Sequence, residues 1–153
     1  DIYARCLSGI DFPNDSEKKT LLEYGEFLGF LIKHGDDKYT VDPTQVVLSF
    51  LPEIFKDHKL LPINHFLSLL CERIPVLDGG VYREEVELIM TKEGWEQLGH
   101  RKISRSLSHA IHRLSMMKKI KITSSSDDEE SMELTFFDKN IIISHIEFLG
   151  SKS

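Results

Sequence analysis

Cysteine is scarce in this chain: Cys6 and Cys71 stand far apart, and neither lies in a CxxC or beside a Cys/His cluster. That excludes a disulfide scaffold and leaves the expectation of two reduced, partly buried thiols. Five prolines and nine glycines, scattered without period, exclude a collagen-like chain, and 41% apolar residues exclude a disordered one. Long hydrophobic runs are also missing. The longest, such as FLGFLI at 27–32, falls well short of the roughly 20 residues a spanning helix needs. No stretch joins a basic start, an apolar middle and a small-residue cleavage site, so no membrane partner and a cytoplasmic location are expected. The chain enters from Asp1 directly into IYARCL and reads as a fragment of a longer protein.

Negative charge is plentiful overall, with a net of -6, yet it is absent from one segment. Residues 1–99 hold 10 Lys/Arg and 18 Asp/Glu, residues 100–121 hold 7 and none, and residues 122–153 hold 2 and 7. The sums are -8, +7 and -5. A solvated helix face mixes both signs, so a stretch without carboxylates inside an acidic protein points to an anionic partner.

Catalytic signatures are missing too. No GxSxG elbow surrounds any serine, and neither GxxxxGK[ST] nor GxGxxG occurs, so no hydrolase triad or nucleotide cradle has an anchor and no cofactor is expected. His109 and His112 share a helix face, but no Cys, Asp or Glu there completes a metal set. Asp57-His58-Lys59 and Asp36-Asp37-Lys38 only superficially match the carboxylate-x-Lys end of a metal-dependent nuclease site. The expectation is a non-enzyme, with a nuclease as the weakest alternative. Ser124, Ser125 and Ser126 ahead of DDEE resemble an acidic-directed phosphorylation site.

What is present reads as a mainly α, α+β chain. Asn14 or Asp15 caps a helix that carries Leu21, Tyr24, Leu28 and Leu31 on one face, with Gly29 as a stop. FLIKHGDDKYTV reads as two short strands around His34-Gly35-Asp36-Asp37, or as a continuation of the helix. Asp42-Pro43-Thr44-Gln45 starts the next helix, with Val46, Val47, Phe50, Leu51, Ile54 and Phe55 inward and Pro52 kinking or restarting it. PINHFLSLLCERI follows, with Ile63, Phe66, Leu67, Leu70 and Ile74 on one face. LDGG is a turn. Val81 to Met90 is expected to be helical with Val86, Leu88, Ile89 and Met90 inward, and Trp95 is expected in the core.

The last third changes period. Leu107, Ala110, Ile111 and Leu114 mark one side of a helix capped by Ser104 or Ser106. KIKIT and MELTFF alternate as strands and are expected to pair antiparallel across the acidic loop Asp127-Asp128-Glu129-Glu130. NIIISHIEFLG is strand or short helix. The expected architecture is a helical region over 1–75, with a short β-hairpin at 30–41, then a winged-helix-like domain over 76–149 with a small antiparallel β-hairpin wing.

On that reading the exposed side of the last helix faces a DNA major groove through Arg105, Ser108, His109, His112 and Arg113. Arg101, Lys102, Lys118, Lys119 and Lys121 flank it for phosphate contacts. The acidic loop would be repelled by phosphate, and a winged helix also serves as a protein-docking module, which is the main alternative.

The succession VDPT, LPEIF, LPINHFLSLLCERIPVLDGGVYREEVE, SRSLSHAIHRL and ISHI resembles the DpdG-like family of bacterial systems that insert deazaguanine bases into DNA and restrict unmodified DNA. The similarity spans roughly residues 20 to 147, with PVLDGGVYREEVE its most particular part; the acidic loop departs from the family pattern. The resemblance implies an accessory subunit of a DNA modification and restriction system, on its restriction side and bound to partners, which with the basic helix gives the expectation of a non-catalytic DNA-binding or adaptor subunit. Its partners would be double-stranded DNA and other subunits, with a homo-oligomer left open. It also implies that the corner at Asp78, with Tyr82 and Arg83, is the first place to seek a protein partner, beside a purely structural role.

Overall fold

The computed structural model describes residues 14–35, 38–92, 94–124, 130–136 and 139–150. The first helix, α1 (Asp15–Phe27), begins where Asn14 accepts a hydrogen bond from Glu17 N at 2.9 Å, which satisfies one of the free amides of the first turn. It stops at Gly29, whose φ of 80° suits glycine. There Gly29 N donates to Glu26 O and Phe30 N to Gly25 O, the paired bonds of a left-handed helix end. Leu31 therefore leaves the helix and opens β1 (Leu31–His34), which pairs antiparallel with β2 (Lys38–Val41). The two-strand alternative at 30–41 is the one realised, and Asp36-Asp37 lie outside the described residues.

Helix α2 (Thr44–Ile54) runs unbroken through Pro52, which falls in its final turn. Strand β3 (Leu60–Pro62) leads directly into α3 (Ile63–Arg73), and α4 (Val81–Lys92) follows the PVLDGG corner. The short β4 (Lys102–Ile103) precedes α5 (Arg105–Met116). The chain then alternates β5 (Ile120–Thr123), β6 (Met132–Thr135), β7 (Asn140–Ile143) and β8 (His145–Phe148). This is an α+β fold with small, mostly antiparallel sheets. None of the described helices is long and apolar enough to cross a membrane.

One expectation fails in the sheets. KIKIT and MELTFF do not pair with each other: β5 joins β8, with Ile122 opposite Ile146, while β6 pairs in parallel with β4 and antiparallel with β7. KIKIT and MELTFF both alternate and NIIISHIEFLG does not declare its period, so pattern cannot choose the partner. Burial chooses it, because β8 as the centre of the order β3-β8-β5 sinks Ile146 between Leu61 and Ile122.

A single core joins both halves of the chain. Val47, Leu51, Phe66 and Leu70 from α2 and α3 meet Leu107, Ile111 and Leu114 from α5, together with Ile120, Leu134, Ile143 and Ile146 from the sheets. Phe55 stacks on Phe148 at 5.4 Å and tilts against Phe66 at 5.8 Å. Each such side chain contributes on the order of 1.5–3 kcal/mol on burial.

Helix α4 is not packed as its sequence suggests. Val86, Leu88 and Ile89, expected inward, are 50%, 60% and 63% exposed, and Trp95 is only half-buried and outside the core. Tyr82, Val86 and Ile89 recur at helical spacing and form an apolar stripe, but that stripe faces solvent. The shielded line of α4 is Arg83, Glu87 and Met90 instead, at the spacing that puts residues on one helical face. The Arg83 guanidinium bonds Glu87 at 2.5 Å on that line.

Candidate nucleic-acid interface

Helix α5 is divided sharply into two faces. Leu107, Ala110, Ile111 and Leu114 are fully buried, while Arg105, His109, Arg113 and Met116 are exposed. Ser104 caps it by accepting from Leu107 N at 3.4 Å, and Ser106 sits 3.3 Å from that hydroxyl. Arg101, Lys102, Lys118, Lys119 and Lys121 are all exposed beside its two ends. The carboxylate-free segment is therefore a cationic surface with its apolar side in the core.

Ser108 does not belong to that surface. It is fully buried, donates to Ile103 O at 3.1 Å and accepts from Thr135 N at 2.9 Å. At about 100° per residue it lies a quarter-turn from Leu107, on the flank that β6 covers. Its hydroxyl bonds two backbone groups inside the fold, and it is withdrawn from the groove-facing set.

Two residues that sequence reasoning missed narrow the exposed strip from either side. On the β6 flank, Phe136 meets His109 edge-on at 5.1 Å and His112 at 5.5 Å, leaving His112 half-buried. On the other flank, Arg113 bonds Oδ2 of Asp42, which is only 8% exposed. The Oδ1 of the same carboxylate accepts from Thr44 N at 3.0 Å and from the Thr44 hydroxyl, at the first residue of α2. Asp42 N in turn donates to Phe30 O. The helix start was legible in Asp-Pro-Thr, although Pro43 and not Asp42 takes the N-cap position; the ion pair was not, because 71 residues separate its partners.

Lys118 adds an unusual feature. It ends α5 with φ 55°, in the left-handed region that glycine normally fills. Lys118 N donates to Ser115 O and Lys119 N to Leu114 O. The geometry holds lysines at the negative end of the helix dipole, a favourable place for cations.

The PVLDGG corner is a tight device. Pro75 O accepts from both Tyr82 N and Arg83 N at the start of α4. A Cβ on Gly80 would stand 2.3 Å from that same oxygen, and Gly79 has φ 79°, so both glycines are required for separate reasons. Asp78 Oδ2 accepts from Ser104 N, linking the corner to the α5 cap, and Arg83 stands 3.8 Å from Asp78 Oδ1. Of the three corner residues expected to meet a partner, Asp78 and Arg83 are engaged within the chain, while Tyr82 is 57% exposed.

Beside this corner lies a cleft of about 560 Å³ lined from α3, α4, residues 97–102 and Met132. Cys71 lines it; burial first, then the neighbouring Glu72, pushes its thiol above the ordinary value of 9.0, which keeps it protonated. Asp57 and His58 are exposed, and Lys59 pairs with Glu147 at 3.0 Å. Among the described residues no three His, Cys, Asp or Glu side chains are grouped to hold a metal. Asp127 to Glu129, Ser125 and Ser126 lie outside the described residues.

Comparison with known proteins gives one family. A family model described as DpdG-like matches residues 6–128, which starts upstream of the expected span and ends before β6. No curated protein and no solved structure matches the chain. With well over half its length matched, and with the motifs from VDPT to SRSLSHAIHRL inside the match, the chain belongs to the DpdG-like family, a membership that points to involvement in a DNA modification system.

Proposed function

We propose that this chain is a non-catalytic winged-helix subunit that brings a DNA-acting complex to duplex DNA, with α5 as the helix that enters the major groove. The order α2, β3, α3, α5, β5, β8 and the sheet order β3-β8-β5 support a winged-helix reading. On it, residues 74–104 are an insertion before the recognition helix, and β6 and β7 are an insertion in the wing. The observation that carries the proposal is the outward strip of α5. Arg105, His109 and Met116 face solvent opposite four fully buried residues, and lysines and arginines flank both ends in a segment, residues 100–121, whose sequence holds no carboxylate.

Arg105 and His109 would reach base edges, with Arg113 beside them held partly by Asp42, and the flanking cations would reach phosphates. The test is the fluorescence anisotropy of a labelled duplex titrated with the full chain between 50 and 200 mM salt. Steep weakening with salt is expected. Changing Arg101, Lys118 and Lys119 together to Ala should flatten the slope of log K against log salt by about 2.7, roughly 0.9 for each phosphate no longer neutralised. Absence of binding at the lowest salt, or an unchanged slope, overturns the reading.

A second reading, a docking scaffold without DNA contact, is favoured by α1 and α4. Neither buries a single residue, and Phe27 and Ile89 are 84% and 63% exposed. Exposed apolar side chains gathered on two helices mark protein contacts. The anisotropy experiment separates the two readings, since a scaffold of that kind shows no salt-dependent DNA binding.

A further inference from the structure

We infer that the outward face of α4 is a self-docking surface, on which α4 of a second copy of this chain packs antiparallel across a twofold axis. The inference names one partner for that exposed face and does not depend on DNA contact. Three observations carry it: the order of the two charges on the face, the placing of its apolar side chains and the area they expose.

Helix α4 turns Arg83, Glu87 and Met90 toward the body of the molecule, and its start is fixed by Pro75 O. At about 100° per residue, the line opposite those three runs through Val81, Glu85, Leu88 and Lys92, all of them exposed. The charges on that line are therefore one carboxylate and one ammonium. Two near-complete turns, about 10.5 Å along the axis, separate them. Among the described residues neither is ion-paired within the chain.

That order decides how a copy can lie on the face. A parallel copy sets Glu85 on Glu85 and Lys92 on Lys92, and like charges repel. An antiparallel copy, with the axis passing between Leu88 and Ile89, sets Glu85 of each copy opposite Lys92 of the other, so two attractive pairs form. The face is complementary to itself in one direction only, which favours a second copy of this chain over an unrelated helix.

The same axis suits the apolar residues. Leu88 lies on one side of the charged line and Ile89 on the other, both within one residue's rise of the axis, so each meets its own counterpart in the second copy. Tyr82 and Val86 continue the Ile89 side. Val81, Tyr82, Val86, Leu88 and Ile89 are each at least half exposed. Together they leave on the order of 500 Å² per copy, so a self-pair buries about 1,000 Å², at the low end for specific interfaces, where association is weak and reversible.

The test is sedimentation equilibrium of the full chain, reduced and without DNA, at low salt and over about 1 µM to 1 mM. A reversible monomer–dimer equilibrium with a micromolar Kd is expected. Glu85→Lys and Lys92→Glu each turn two attractive pairs into repulsive ones and should weaken association at least about tenfold. Both positions are exposed, and circular dichroism checks that the variants fold. Mixing the two single variants should restore association, as should both changes in one chain, because opposite charges then face each other again. Leu88→Glu should leave a monomer. A monomer at every concentration, or a dimer that survives Leu88→Glu, overturns the inference. So do single charge variants that associate like the parent or are not rescued by mixing. DNA is absent throughout, so failure of this interface is told apart from failure of the DNA reading, which the anisotropy titration decides.

Discussion

Arg113 on α5 bonds Asp42, and the other oxygen of Asp42 accepts from Thr44 N, the first amide of α2. One carboxylate thus ties the entry of the second helix to the flank of the helix that carries the cationic surface. Asp42→Ala removes the acceptor of Thr44 N and of the Thr44 hydroxyl, worth about 1 kcal/mol, and also the partner of Arg113. Because Arg113 is 53% exposed, its pairing is screened and adds less than about 1 kcal/mol. Urea denaturation should therefore place Asp42→Ala some 1–2 kcal/mol below the parent and Arg113→Ala within about 1 kcal/mol of it. Arg113→Ala as the more damaging change would contradict this assignment.

Ser108→Ala should destabilise by roughly 1–3 kcal/mol, because Thr135 N and Ile103 O lose a buried partner together. Any residual DNA binding should keep the parent's salt slope, since Ser108 touches no solvent. A flattened slope with unchanged stability would return Ser108 to the exposed face.

The two corner glycines should respond differently. Gly79→Ala meets open space and suffers only the left-handed backbone penalty, about 1–2 kcal/mol. Gly80→Ala drives a methyl into Pro75 O, a backbone atom that also caps α4, so it should be the worse of the two by chemical denaturation. Equal effects would mean that the corner yields and is not rigid.

Lys118→Gly separates stability from charge. Relief of the left-handed lysine should raise the stability to unfolding by about 0.5–1 kcal/mol. Loss of the cation should flatten the DNA salt slope by roughly 0.9. A stabilised variant with an unchanged slope would remove Lys118 from the phosphate set.

The thiol of Cys71 titrates above its ordinary value because burial disfavours the thiolate. In a Cys6→Ser background, iodoacetamide should modify Cys71 more slowly than free cysteine near pH 8, with the rate rising as pH passes above 9.0. Stability follows the same sign. The raised value costs nothing below the unfolded thiol's pKa, and stability falls as pH rises from there through the folded value. Modification at the rate of free cysteine would show the thiol to be unshielded.

Local chemistry carried much of the fold into the sequence. Asn14, Gly29, Asp42 and Ser104 act on backbone groups a few residues away, so each helix end could be read from a short window. The inward side of α5 was equally plain, because Leu107, Ala110, Ile111 and Leu114 recur at helical spacing. Long-range choices were not legible. MELTFF alternates as plainly as KIKIT while NIIISHIEFLG leaves strand and helix open, and only the core decides that HIEF is the partner. Ser108 misled because polarity suggested an outer position, whereas its hydroxyl serves two backbone groups inside. Phe136 and Asp42, which trim the candidate surface, reach α5 from distant segments and leave no periodic trace. In α4 the polar Arg83 and Glu87 face the body while leucine and isoleucine face out, the reverse of what composition suggests.

The central position of β8 between β3 and β5 has a consequence for biogenesis. Leu60–Pro62 cannot acquire a hydrogen-bonded neighbour until His145–Glu147 has been synthesised, so β3 must wait on the ribosome with its edge unpaired even after α2 and α3 have met α5. At some 5–20 residues per second that interval lasts several seconds, and premature termination anywhere before Ile146 would release a nascent chain prone to aggregate instead of a smaller working module.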